Sequence, residues 1–244
     1  MASTIEIFST KFIVQPLIPL IEFQSIFKGI FIPLNILFIS IATMIPGMIT
    51  GLLAWNQLTK FTRLLVIQLG MGILANILAS CMNGPNGDIF NYYMVTDFTL
   101  VFLAAVNFIP KKFRLYFVCL GFGGFFAIWI SSLIIGTQGF IASVALIYAC
   151  FVLAIEYFFG MVEMFFEKDF IPGLFILFLI TFIYYCGIIP IFSFLHYLQI
   201  HEIRRTQWVF NTTIGVLSAI RYLTVAIGFY VIRAQKKELY YAPE

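Results

Sequence analysis

Seven apolar stretches of about 20 residues each, parted by short polar breaks, occupy most of this chain. At 1.5 Å of rise per residue, a helix of about 20 residues crosses a hydrocarbon core of about 30 Å. The pattern predicts spans at residues 31–55, 61–81, 90–109, 113–135, 140–164, 171–194 and 208–232. The expected fold class is all-α: a polytopic membrane protein whose transmembrane domain is a seven-helix bundle over residues 31–232. Residues 1–30 form an N-terminal external or interfacial segment, and residues 233–244 a short cytoplasmic tail.

The breaks have local causes. Asn83-Gly84-Pro85-Asn86-Gly87-Asp88 is a dense turn signal between the second and third spans. Pro110 ends the third span, because it has no N–H to donate and disfavours helical geometry in the residue before it. Gly136-Thr137-Gln138-Gly139 parts the fourth from the fifth, and Asp169 with Pro172 opens the sixth as N-cap and first helical residue. Residues 1–30 lack the basic start, long apolar run and small-residue cleavage site of a signal peptide. Their short apolar run carries Pro16 and Pro19, which points to an interfacial or re-entrant segment, with a further spanning or cleaved element as the alternative.

Composition narrows the class. Of 244 residues 62% are hydrophobic and 10% charged. A soluble domain carries about 25% charged residues, so a separate water-soluble or nucleic-acid-binding domain is excluded. Cys81, Cys119, Cys150 and Cys186 have no C-x-x-C spacing and read as small buried hydrophobes.

Positive charge sets direction. One side holds Lys60, Arg63, Lys111, Lys112, Arg114, Lys168, Arg233, Lys236 and Lys237, the other Lys11, Lys28, Arg204 and Arg205. This puts the C-terminus in the cytoplasm and the N-terminus outside, in the cell (inner or plasma) membrane. Trp55, Trp208 and the Tyr92-Tyr93 pair fall near span ends, where amphipathic rings favour the interface.

Ionisable side chains within spans cost about 2.5–3.5 kcal/mol each on insertion scales. Asp97, Glu156 and Arg221 stand roughly 18, 12 and 16 Å from the cytoplasmic ends of their helices. Those heights suggest a buried cluster with Arg221 paired to at least one carboxylate. Two acids against one guanidinium leave a surplus charge, which a proton on one carboxyl would neutralise. Such a cluster is either a structural ion pair or a site for a ligand, ion or proton. Gln68, Gly72 and Asn76 form one stripe, and Asn211, Gly215, Ser218 and Tyr222 another; both suit close helix packing with interhelical hydrogen bonds, or a polar cavity lining. The candidate ligand or charge-relay residues are therefore Asp97, Glu156, Arg221, Gln68, Asn76, Asn211 and Tyr93. Glu156, Gly160, Glu163 and Glu167 make an acidic stripe of which Glu156 is too deep for a solvated face. Pro46 and Pro190 fall inside spans and predict kinks.

No motif supplies a reaction. There is no P-loop, H-E-x-x-H or G-x-S-x-G, no lysine within a span for a Schiff base, and no common metal spacing at His196, His201 and Glu202. The sequon Asn211-Thr212-Thr213 lies inside a span. No catalytic residue, metal or cofactor is expected, nor a nucleic-acid partner.

Residues 91–98 (NYYMVTDF), residues 171–187 with Pro172 and Tyr184-Tyr185, and residues 208–228 resemble a pattern of small, uncharacterised bacterial seven-helix membrane proteins. The architecture is also similar to the seven-helix sensory regions that precede some bacterial histidine kinases. That resemblance implies a receptor-like or sensory bundle. With only residues 233–244 after the last span, its output would pass through a cytoplasmic signalling partner or a homo-oligomer. The alternative is a transporter or channel moving a proton, ion or small solute through Asp97, Glu156 and Arg221. The orientation is directly testable. A reporter active only in the cytoplasm gives signal when fused after Glu244 and none when inserted after Gly87, and the reverse pattern overturns it.

Overall fold

The computed structural model of the chain describes residues 36–81, 87–135, 143–166, 171–200 and 204–241. Every regular element among them is helical. The main helices are α1 (Ile36–Leu53), α2 (Lys60–Cys81), α3 (Gly87–Ala105), α4 (Lys111–Ile135), α5 (Ser143–Phe166), α6 (Pro172–Ile200) and α7 (Arg204–Tyr241). Six of them, α2 to α7, contain a segment long and apolar enough to cross a membrane; the apolar part of α1, Phe38–Leu53, is shorter. This is the architecture of a multi-pass membrane protein. Residues 1–30, the turn at 83–86, the break at 136–139, Asp169, His201 and Glu202 lie outside the described residues, as do the side chains of His196 and Asn211.

Helix ends follow their residue chemistry. Ile109 is extended (ψ 134°), as a residue before proline prefers. Pro110 then begins α4, its carbonyl accepting from the N–H groups of Phe113 and Arg114 at 2.9 and 3.2 Å. Pro172 is the first helical residue of α6, where its missing N–H costs nothing. Two basic side chains close the turns that precede α2 and α4. The Arg63 Nε–H donates to the Trp55 carbonyl at 3.0 Å with its guanidinium over the Trp55 ring, and Arg114 donates to the Asn107 carbonyl at 2.6 Å. Cations placed there satisfy carbonyls that the ending helices leave free. Pro46 and Pro190 are contained within α1 and α6, and neither ends its helix.

Two elements outrun the apolar pattern. The predicted last span stops at residue 232, yet α7 continues to Tyr241, so most of the segment expected as a tail is helix. Apolarity marks the part of a helix that suits lipid, not where backbone hydrogen bonding stops. The cysteines also differ from expectation: Cys150 is buried, but Cys81, Cys119 and Cys186 are exposed, and all four are free thiols. Where lipid is the surrounding solvent, an apolar side chain gains little by facing inward.

Packing runs from α1 to α2, α3, α5, α6 and α7 and back to α1, while α4 lies against α5. Only 11% of the α4 span is buried, against 50% for α5, so α4 is a peripheral helix. Aromatic rings fasten it: Phe125 stacks on Phe98 of α3 at 4.2 Å, and Phe122 meets Phe102 edge-on at 4.8 Å. A π-helical turn at Cys119–Gly123 interrupts α4, and the Tyr148 hydroxyl of α5 donates to its Leu120 carbonyl at 2.7 Å.

The approach of α6 to α7 depends on two glycines. A methyl group on Gly173 would come within 2.8 Å of the Gly228 carbonyl and of the Ile232 backbone nitrogen. Backbone atoms do not yield as side-chain ends do, so Gly173→Ala must push the helices apart. It should cost about 1–3 kcal/mol, read as a lowered melting temperature in detergent. Gly187→Ala in the same helix meets nothing within 4 Å and should melt no lower than the parent protein.

Candidate functional site

The polar residues of the spans divide into two groups with different surroundings. The first is gathered from α2, α3, α6 and α7. Asp97 of α3 is half-buried, and its Oδ1 accepts from the Gln68 side-chain amide of α2 and from the Tyr93 hydroxyl at 3.0 Å. Gln68 is 2% exposed and also donates to the Tyr93 hydroxyl at 3.3 Å. Gly72 makes room for that hydroxyl, since a Cβ there would stand 2.8 Å from it. Spacing explains both placements: Tyr93 and Asp97 are one helical turn apart on α3, as Gln68 and Gly72 are on α2.

Arg221 of α7 is 3% exposed. Its guanidinium carbon lies 4.6, 5.1 and 5.6 Å from the ring centres of Tyr184, Tyr185 and Tyr222. A desolvated cation–π contact is worth about 2 kcal/mol, so one or two of these offset an insertion penalty of about 2.5–3.5 kcal/mol. Tyr184 is held by a 3.1 Å hydrogen bond with Ser218. The expected ion pair is not formed. Among the described residues Arg221 donates no hydrogen bond to a carboxylate, and its Nε has no partner. Asp97 is the carboxylate within electrostatic reach of it, and Cys150 of α5 lies near both.

Glu156 of α5 is the second group. It is 0% exposed, both of its carboxyl oxygens lack hydrogen-bond partners, and no charged group acts on it among the described residues. Matching heights along separate helices brought it to Arg221 in the sequence reading. Beside it on α5, the Tyr157 hydroxyl donates to the Val101 carbonyl of α3 at 3.1 Å and the Tyr157 ring packs on Phe178 of α6. The acidic stripe divides as its depth suggested, with Glu163 exposed.

Asn76 is buried, but its amide donates to the Gly72 carbonyl of its own helix at 2.8 Å. That amide N–H is thus spent within α2 rather than across to another helix. Tyr93 is not an interfacial residue like its neighbour Tyr92, which is 65% exposed; it points into the cluster. Tyr184 and Tyr185, which hold Arg221, carried only a resemblance in the sequence. Their signal was a pair of phenols deep in the sixth span, where phenylalanine would cost less. A groove of about 280 Å³ between α2 and α3, lined by Met71, Leu74, Leu78, Tyr92, Tyr93 and Thr96 among others, reaches the cluster at Tyr93.

The arrangement predicts an asymmetric rescue. Arg221→Ala removes the charge that balances Asp97 and leaves a void against three rings, so it should lower the melting temperature in detergent. Breaking a buried pair costs about 3–5 kcal/mol, and the looser coupling here sets that as the upper end. Adding Asp97→Asn should restore part of the loss. Adding Glu156→Gln should shift the double mutant only by what it does alone, because residues without a shared partner contribute additively.

The chain matches no protein-family model, no characterised protein and no solved structure.

Proposed function

We propose that this chain is a non-catalytic, receptor-like or sensory seven-span bundle of the cell membrane that holds a small ligand at its polar intramembrane cluster. In this reading α1 is the first of seven spans, the N-terminus is outside and the C-terminus cytoplasmic, as the basic residues favour. The observation that carries it is Arg221: a guanidinium 3% exposed, set against three tyrosine rings and close to Asp97 without touching it. Ionisable groups within membrane spans are costly and mark functional sites. A packing role alone would be met better by direct contact between the two charges. Signal would leave through a cytoplasmic partner or a second copy of the chain.

Transport is the second reading, and Glu156 is the observation that favours it, as a deep acid with no partner. Against it, neither carboxyl oxygen of Glu156 has a hydrogen-bond partner among the described residues through which a proton would pass to Asp97 or Arg221. One measurement separates the two. Liposomes holding the purified protein and an internal pH-sensitive dye should keep an imposed proton gradient as long as protein-free liposomes do. A gradient that collapses with the parent protein and survives with Glu156→Gln establishes transport instead.

A further inference from the structure

Two hydrogen-bond donors in the Arg221 cluster are buried and unused. The Arg221 Nε–H has no acceptor, and neither does the Tyr185 hydroxyl, although each residue is only 3% exposed. Both belong to one contact, the Tyr185 ring lying 5.1 Å from the guanidinium carbon. Leaving a buried donor unsatisfied forfeits its hydration, about 1–3 kcal/mol for each group, so two side by side call for an acceptor that the chain does not supply. On the other side, the hydrogen bonds that Asp97 accepts from Gln68 and Tyr93 both fall on Oδ1. The Arg221 Nε therefore lacks an acceptor among the described residues, while Asp97 and Arg221 remain in electrostatic reach of each other.

We infer that the cluster binds a small zwitterion, its acid group on Arg221 and the Tyr185 hydroxyl and its ammonium on Asp97. This rests on the reading of the bundle as a ligand-binding one and names the ligand class. Charge balance selects the class. Asp97 and Arg221 sum to zero, so a plain anion or cation would leave a net charge in low dielectric, which is costly. A zwitterion adds none and gives each protein charge its counter-charge. Asp97 is half-buried, and Tyr93, which bonds it, also lines the groove between α2 and α3.

The test uses the full chain in detergent at neutral pH and constant ionic strength, with melting followed by tryptophan fluorescence. The probes are glycine, β-alanine and γ-aminobutyrate, which set the acid and ammonium at increasing separation; acetate and methylammonium are controls. At least one probe should raise the melting temperature by about 2–4 °C, and neither control should. Tyr185→Phe deletes a hydroxyl that bonds nothing, so it should melt no lower without ligand yet lose at least half of the shift. Asp97→Asn, which leaves the cluster positive, should respond to acetate instead. The assignment is overturned by an absence of shift with all three probes, by an equal shift with acetate, or by an undiminished shift in Tyr185→Phe. None of these outcomes touches the liposome measurement, so the ligand class and the receptor reading can fail separately.

Discussion

A guanidinium in the middle of a bilayer must be compensated within the protein, because no water is there to do it. Arg221 meets that constraint with aromatic faces rather than a carboxylate. The choice has consequences for neighbouring helices. Tyr184 and Tyr185 must be held over α7, which the Tyr184–Ser218 hydrogen bond and the close approach at Gly173 and Gly228 provide. Asp97, released from direct pairing, is held instead by Gln68 and Tyr93, and this ties α2 to α3 at the same level. Gly72 is the empty volume that lets the Tyr93 hydroxyl reach them.

The remaining contacts are of a different kind. Stacked and edge-on phenylalanines join α3 to α4, and Tyr157 with Phe108 and Phe178 joins α5 to its neighbours. Lipid tails are as apolar as these rings, so such contacts gain from packing and geometry rather than from escape from water. That is why α4 can sit at the periphery with little of its surface buried, and why the exposed Cys119, Leu115 and Leu120 on it need no partner.

Glu156 is the counterexample to any single account of intramembrane charge. Asp97 and Arg221 are offset by neighbours, whereas the carboxyl oxygens of the enclosed Glu156 have no hydrogen-bond partner among the described residues.

The sequence by itself determined the helical class and the approximate extent of each helix, because apolar length, proline placement and turn residues are local properties. Pro110 and Pro172 mark helix starts for reasons contained in their own rings. It also determined which residues are expensive within the spans, since the cost of Asp97, Glu156 and Arg221 there does not depend on their neighbours. Who compensates them was decided by tertiary structure alone. Height along a helix is legible from residue counting, but rotation about the helix axis is not when both lipid and core are apolar, since the hydrophobic pattern then carries little contrast between faces. Asp97 and Gln68 meet, Arg221 turns to Tyr184 and Tyr185, and the Glu156 oxygens stay unpartnered among the described residues, because of how the helices rotate against one another.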